Sequence, residues 1–244
     1  MQAIILAGGY GTRLYPLTID APKPMIEVGG KPMIEYLIEK LKNTGEISEI
    51  FIVSNEKFSH VFEEWLERKK ITNITIINDG TTSNEDRLGS IGDIQYVIQK
   101  AEIKQDVIIL WGDNFMEDDF KKLFENFHKK GNTIGLYDVG DLEYVKQLSS
   151  PILDADMRII SFIEKPSQPT SSLVWTLVYV LKNTSLKHID DVIKNGQADR
   201  AGDFIAYLCQ KEPIYGQILE GKWFDIGTLE QLKKAEEWIH LKKR

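Results

Sequence analysis

The sequence predicts an α/β fold in which a mostly parallel central sheet is covered by helices. Short apolar runs rich in β-branched residues alternate with longer stretches whose apolar residues recur at helical spacing. Such alternation is typical of a sheet whose crossover helices lie on its faces. A chain of 244 residues is long enough for one large domain or two small ones with a substantial core.

The predicted elements follow one another in a regular order up to about residue 140. The predicted strands cover residues 3–7, 50–54, 74–78, 107–111 and 133–137. The predicted helices cover residues 33–44, 60–69, 91–101 and 118–130. Beyond them we expect a hairpin of residues 152–153 and 159–163, a long strand at 173–181, and helices at 203–210 and 229–242. The last helix ends in basic residues, as the helix dipole favours.

Composition narrows the classes of function. A net charge of −7 argues against a general nucleic-acid binder, because no basic excess is present to neutralise phosphates. A small phosphorylated substrate needs only a few local cations and stays compatible with this charge. The single Cys209 excludes an internal disulfide and fits a reducing compartment. The four histidines have no zinc-like spacing.

The start of the chain carries no sign of export. It enters a predicted strand within two residues, without a basic head or a long apolar segment. No apolar run approaches the length of a transmembrane helix. We therefore expect a cytoplasmic protein that has no membrane partner.

The segment AIILAGGYGTRLYPLTIDAPKPMIEVGGKP, residues 3–32, is the most informative part of the chain. Its apolar strand ends in Gly8, Gly9 and Gly11, which are followed by Thr12 and Arg13. Glycines let the backbone turn sharply, and unpaired N–H groups in such a turn form a concavity suited to phosphate oxygens. Arg13 adds a forked, permanent cation.

A second cation, Lys23, lies between Pro22 and Pro24, which restrict the backbone around it. A stiffly held ammonium near a glycine turn suits a polyphosphate. Two standard phosphate motifs fail. Thr12-Arg13 replaces the Lys-Ser/Thr pair of the Walker pattern, and Leu14 replaces the third glycine of the dinucleotide fingerprint. Neither a Walker ATPase nor a nicotinamide dehydrogenase is favoured.

Two acidic residues at separate places are candidate functional residues. Asp113, in LWGDN, follows a predicted parallel strand, where open sheets bind ligands; a turn-forming Asp-Asn pair is the alternative. Asp225, in WFDIGT, interrupts an apolar segment, and charges are rarely buried without a partner. The Glu164-Lys165-Pro166 segment follows another strand and is open to two interpretations, a substrate site or a solvated ion pair.

The ungapped GG-x-GTRL…PK pattern resembles the signature of sugar-nucleotide pyrophosphorylases, in particular those like glucose-1-phosphate thymidylyltransferase. These enzymes join a nucleoside triphosphate to a sugar 1-phosphate. The EKP and W-x-D-x-GT segments resemble further family motifs, and the resemblance spans residues 3 to about 235. It implies a single three-layer, Rossmann-like nucleotidyltransferase domain over residues 1–244, with a mostly parallel mixed sheet. Residues 1–112 would form the nucleotide-binding half and residues 113–244 the sugar-phosphate half.

The resemblance also implies roles for individual residues. The glycine turn, with Thr12 and Arg13, would hold the triphosphate, and two lysines would bring the reacting phosphoryl groups together. Two carboxylates would hold Mg²⁺, and a glutamate would meet sugar or ribose hydroxyls. The residues so implied are Gly8, Gly9, Gly11, Thr12 and Arg13 for the triphosphate; Lys23 and Lys165 for the phosphoryl groups; Asp113 and Asp225 for Mg²⁺; Glu164 for hydroxyls; and Asn84 and Gly89 for the base.

Several alternatives stay open from the sequence. Trp175 and Leu177 stand where the family has Asn and Gly beside the sugar, which implies either a bulky pocket wall or an ordinary core strand. The substrate could therefore be a non-sugar phosphate such as phosphocholine or inositol phosphate, and a non-catalytic regulatory homologue is a further alternative. We expect thymidine or uridine triphosphate as the nucleotide substrate, with guanosine and cytidine triphosphates as alternatives. A homo-oligomer is also compatible with the sequence.

Overall fold

The structure is a computed structural model that describes residues 1–242 and has an α/β architecture. The strands of the central sheet are β1 (Gln2–Leu6), β4 (Glu49–Ser54), β5 (Ile74–Asn78), β6 (Val107–Trp111), β8 (Thr133–Asp138), β11 (Leu173–Leu181) and β12 (Tyr215–Ile218). Three two-stranded ladders pair β2 (Glu27–Val28) with β3 (Lys31–Pro32), β7 (Asn114–Met116) with β13 (Trp223–Asp225), and β9 (Ser149–Leu153) with β10 (Ile159–Glu164).

The helices separate these strands along the chain. They are α1 (Met33–Asn43), α2 (Ser59–Lys69), α3 (Gly89–Lys100), α4 (Lys121–Lys130), α5 (Leu142–Val145), α6 (His188–Lys194), α7 (Ala201–Leu208) and α8 (Leu229–Lys242). Over the described residues, no helix combines the length and the apolar character that crossing a membrane requires.

The central sheet has the strand order β12-β8-β11-β6-β1-β4-β5. β1 pairs with β4, β4 with β5, and β12 with β8, all in parallel, whereas β11 pairs with β8 antiparallel. The predicted mostly parallel, mixed sheet is therefore confirmed.

The chain forms two compact units that are interleaved along the sequence. The first contains residues 1–87, 110–119 and 221 onwards, and the second contains residues 88–109 and 120–220. In the first unit, β1 is buried throughout. Helix α8 packs through Ala235 and Ile239 on a cluster that includes Val28, Phe115 and Ile226. This packing anchors β13, which carries Asp225.

The second unit has an aromatic core. Trp175 is only 2% exposed, stacks on Tyr179 at 5.5 Å and meets Phe162 edge-on at 5.6 Å. Its indole N–H donates to the Val178 carbonyl at 3.1 Å, across an irregularity in the pairing of β11 with β8. Leu177 lies at that irregularity with a φ of 61°. Trp175 is thus a core residue, whereas Leu177 is in the left-handed backbone region that disfavours bulky side chains.

Long periodic elements agree with the sequence prediction, and the differences are local. Helix α4 begins at Lys121 instead of residue 118, because Phe120 before it has a φ of 64°, which a right-handed helix cannot contain. Helix α7 begins at Ala201, two residues before the predicted start. The sequence analysis missed the helices α5 and α6 and the strands β2, β3, β7, β12 and β13, which are too short to show a clear period.

Candidate active site

The glycine turn presents a run of unpaired backbone donors. Among the residues that the structure describes, the N–H groups of residues 8–13 make no hydrogen bond. The Gly8 carbonyl accepts from the Asn55 side chain at 2.8 Å, which fixes the start of the turn. Consecutive unpaired N–H groups in a fixed turn form an anion-binding concavity.

Two of the glycines serve different purposes. Gly11 has a φ of 61°, and a Cβ there would meet the Thr18 Cγ2 atom at 3.0 Å and the Lys23 Cβ atom at 3.4 Å. Gly11 is therefore required by the turn itself. A Cβ at Gly9 would meet nothing within 4 Å, so no part of the chain requires glycine there. The open space at Gly9 is where a ligand could approach the backbone.

Lys23 is held against the carboxylate of Asp113. It is 9% exposed and forms an ion pair with the Asp113 Oδ2 atom. A Cβ at Gly112 would lie 2.9 Å from the Pro24 Cγ atom, so glycine there permits the close approach of the proline segment to the end of β6. The two prolines and Gly112 together place Lys23 at this acid.

A short ladder brings the two acids together across the sequence. Strands β7 and β13 pair antiparallel, with Asp225 opposite Asn114. The Ile226 N–H donates to the Asp113 carbonyl at 3.4 Å. The buried Asn114 side chain accepts from the Trp223 indole N–H at 2.8 Å, which fixes the register. Asn114 was missed as a site-organising residue, since only the Asp-Asn pair in LWGDN hinted at it.

The pair of carboxylates is electrostatically unfavourable by itself. Burial and the neighbouring Asp113 charge raise the pKa of Asp225, while Lys23 and Arg13 oppose the rise. The Asp113 Oδ1 atom is buried and makes no hydrogen bond within the described part of the chain. Arg13, at this same cluster, has no hydrogen bond or ion pair to any described residue. A bound cation would satisfy the two carboxylates, and an anionic ligand such as a phosphate would satisfy Arg13.

We expect Asp225→Asn to stabilise the metal-free protein at neutral pH. Since folding raises the pKa of Asp225, its unfavourable contribution to stability is absent below the ordinary pKa of 3.8, grows as the pH rises towards the folded pKa, and is complete above it. The melting temperature should rise by about 2–4 °C for each kcal/mol relieved. Thermal melts in chelator from pH 4 to 8 should show this difference growing with pH. A difference independent of pH would contradict the assignment.

Asp113 and Asp225 would supply only some of the ligands that a magnesium ion requires. No group of three or more His, Cys, Asp or Glu residues that could hold a metal occurs among residues 1–242. Two carboxylates, one with an unpaired buried oxygen, match Mg²⁺, which keeps several waters and shares its coordination with substrate phosphates.

The polar loop of residues 79–87 adjoins the glycine turn within the first unit. The Thr81 carbonyl accepts from the Glu56 N–H at 3.0 Å. Burial raises the pKa of the Tyr10 hydroxyl, and the loop acids Asp86, Asp79 and Glu85 lie close enough to add to this rise. Asn84 lies exposed on this loop. The predicted base-contacting Asn84 and the predicted triphosphate-binding turn therefore belong to one compact unit, whereas Gly89, Glu164 and Lys165 belong to the other.

In the second unit, Glu164 and Lys165 end β10 in different environments. The Glu164 carboxylate accepts from the Ser149 hydroxyl, and a Cβ at Gly202 would lie 3.0 Å from its Oε2 atom. The Lys165 N–H donates to the Leu148 carbonyl at 2.9 Å, while its ammonium contacts no described partner. The solvated Glu-Lys ion pair considered from the sequence is absent within the described residues, and the ammonium is free for a ligand.

Asp203 is an acid of this region that the sequence analysis did not single out. Burial raises its pKa, and the charges of Glu164 and Asp199 add to the rise, against the opposing effect of Arg200. The first turn of α7 thus adds a second carboxylate beside Glu164. Only an acid in the first helical turn, a common feature, marked it in the sequence.

Gly89 begins α3 and is in close contact with another segment of its own unit. It has a φ of 80°, and a Cβ would lie 2.6 Å from the Asp199 Cα atom. The next two N–H groups donate to the carbonyls of Asp199 and Ala198 at 3.2 and 2.9 Å. Glycine at this position therefore has a reason within the chain, besides the base contact that the resemblance implies.

We expect Gly89→Ala to destabilise the protein by about 2–4 kcal/mol, because backbone strain adds to a collision with immovable backbone. Chemical denaturation measures the change. The matched control is Gly196→Ala, which has a φ of 77° but would meet nothing within 4 Å. Equal losses in both variants would show that the φ alone, and not the contact with Asp199, governs the effect.

Comparisons with known proteins show which proteins the chain is similar to. The chain is 31% identical over 233 residues to a candidate mannose-1-phosphate guanyltransferase of Sulfolobus acidocaldarius, covering 93% of this chain and 60% of the relative. It is 30% identical over 234 residues to the bifunctional protein GlmU of Methanococcus vannielii, covering 93% of this chain and 52% of the relative. The chain thus spans about half to three-fifths of the length of these curated relatives.

A solved structure shares the architecture nearly throughout. It is a candidate glucose-1-phosphate thymidylyltransferase from Bacillus anthracis in complex with a sucrose, with a TM-score of 0.85 and 25% identity. The match covers 98% of this chain and 94% of that one. The profile of the nucleotidyl transferase family matches residues 2–241. By its fold, its site geometry and this match, the chain belongs to the nucleotidyl transferase family.

Proposed function

We propose that this protein transfers a nucleotidyl group from a nucleoside triphosphate to a sugar 1-phosphate, forming a nucleotide sugar and pyrophosphate. The observation that carries the proposal is the cluster of Lys23, Asp113 and Asp225 beside unpaired N–H donors and Arg13. The names of the relatives, which are sugar-phosphate guanyl- and thymidylyltransferases, support the reaction class.

The residues present would work by positioning and by neutralising charge. The N–H groups of the glycine turn and Arg13 hold the β- and γ-phosphates. A sugar-phosphate oxygen attacks the α-phosphorus, the bond from that phosphorus to the bridging oxygen breaks, and pyrophosphate leaves. The attacking oxygen is already anionic at neutral pH, so no general base is required. Lys23 and Lys165 hold the two phosphoryl groups close despite their like charges.

Asp113 and Asp225 would hold the Mg²⁺ ion, which when bound screens the phosphates and orients the α-phosphate. Their fit rests on the unpaired Asp113 Oδ1 atom and on the repulsion between the two buried carboxylate charges, which a cation would relieve. Glu164 would accept hydrogen bonds from sugar hydroxyls, and Asn84 and Gly89 would contact the base. We propose a pyrimidine nucleoside triphosphate as the nucleotide substrate. Guanosine triphosphate is the main alternative, because one relative is named as a guanyltransferase.

The test is a matrix of the common nucleoside triphosphates against sugar 1-phosphates, phosphocholine and inositol phosphate, read as magnesium-dependent pyrophosphate release. Release with one sugar phosphate supports the proposal. Release only with a non-sugar phosphate moves the function to that alternative, and release with none favours a regulatory homologue.

A further inference from the structure

The loop of residues 79–87 is organised around one carboxylate. Asp86 accepts hydrogen bonds from the N–H groups of Thr82, at 3.0 Å, and Ser83, at 2.8 Å. It also accepts from the hydroxyls of the same two residues, at 3.0 and 3.2 Å. These donors, the Thr82 N–H above all, lower the pKa of Asp86 to about 2, so the carboxylate is ionised at neutral pH.

The rest of the loop is held in the same way. The Gly80 N–H donates to the Asn78 side chain at 2.8 Å, and the Thr81 N–H donates to Asp79 at 2.7 Å. Together with the bonds to Asp86, every N–H from residue 80 to residue 83 is therefore bonded to a side chain of the loop or of the strand end before it. The Arg87 guanidinium adds a bond to the Asn84 carbonyl at 2.9 Å.

The Asn84 side chain takes no part in this hydrogen-bond network. It is exposed, and within residues 1–242 its amide makes no hydrogen bond. The loop therefore holds the backbone at Asn84 in place and leaves its amide available. An amide offers both a donor and an acceptor, which is the complement of a nucleobase edge.

We propose that Asp86 is a positioning residue, whose carboxylate holds residues 79–87 in the conformation that presents the Asn84 amide to the nucleobase. This inference rests on the proposed nucleotidyl transfer. A loop that is already ordered in the free protein loses little conformational entropy when the nucleotide binds, so less of the binding free energy is spent on ordering it. If the competent conformation is populated only part of the time, the affinity falls by the same fraction.

The experiment compares the full-length wild type with Asp86→Asn and with Glu85→Gln. The change of Asp86 to an amide keeps the shape of the side chain but removes the charge and one acceptor oxygen. Glu85 is the matched control, because it is an adjacent exposed acid whose carboxylate has no described hydrogen-bond partner. Hydrogen exchange of the loop amides is measured without nucleotide. The dissociation constants of four common nucleoside triphosphates are then measured by calorimetry without sugar phosphate.

In Asp86→Asn we expect faster exchange at residues 80–83 and a dissociation constant for the preferred triphosphate that rises roughly three- to tenfold. The dissociation constants of the four triphosphates should differ less from one another than in the wild type. The Michaelis constant for the sugar phosphate should stay unchanged. Glu85→Gln should resemble the wild type.

The positioning role would be overturned if the loop amides of Asp86→Asn exchanged as slowly as in the wild type. It would also be overturned if that variant kept full triphosphate affinity with the same order of preference, or if both variants lost triphosphate affinity equally. If the wild type binds no triphosphate, the proposed function itself fails, and this inference fails with it. Triphosphate binding by the wild type with unaltered binding by Asp86→Asn overturns the inference alone.

Discussion

Asp113→Asn and Asp225→Asn should each lower the turnover rate by roughly a hundredfold or more, because a lost metal ligand removes several kcal/mol of transition-state stabilisation. The change keeps the volume of each side chain. Asp225→Asn relieves the repulsion between the two acids, so its loss of activity should accompany equal or greater stability in chelator. Pyrophosphate release over a magnesium titration measures the rates, and thermal melts monitor the fold.

The matched control for both acids is Glu63→Gln, an acid-to-amide change at an exposed position of α2. It should leave rate and magnesium dependence unchanged. Magnesium with triphosphate should raise the melting temperature of the wild type more than that of either aspartate variant. Near wild-type turnover by either aspartate variant in limiting magnesium would show that its carboxylate does not bind the ion.

Arg13→Ala and Lys165→Ala should affect different substrates. Neither cation has a hydrogen-bond partner among the described residues, so both changes should leave stability nearly intact. Arg13 adjoins the glycine turn, and its loss should raise the Michaelis constant for the triphosphate. Lys165 follows β10 in the second unit, and its loss should raise the Michaelis constant for the sugar phosphate. Hydrogen bonds to charged groups contribute about 1.5–3 kcal/mol, so roughly ten- to hundredfold changes are expected.

Steady-state kinetics with each substrate varied in turn separates the two effects. Lys129→Ala, at an exposed position near the end of α4, is the control for loss of a positive charge and should change neither constant. Equal effects of Arg13→Ala and Lys165→Ala on both Michaelis constants would contradict the assignment of Arg13 to the triphosphate and of Lys165 to the sugar phosphate.

Local physics explains what was predictable from the sequence. Apolar runs predict buried strands and helical spacing of apolar residues predicts helices, and β5, β6, β11 and α8 have the predicted bounds. The glycine turn was also predictable, because its conformation depends on the absence of side chains, as the positive φ of Gly11 shows. The sequence could propose Asp113 and Asp225 only through motifs, since no local pattern relates two acids so far apart.

The sequence by itself determined the α/β pattern, the glycine turn for which phosphate binding is predicted, and the identity of the charged residues available for chemistry. The tertiary structure alone decided which of them meet. Pairing of β7 with β13 places Asp225 opposite Asn114, and burial there raises the pKa of Asp225. The contact of Gly89 with Asp199 and the burial of Trp175 were likewise decided by packing. The physical reason is that strand register, burial and charge–charge distance depend on segments remote in sequence, whereas helical period and turn conformation depend on neighbours.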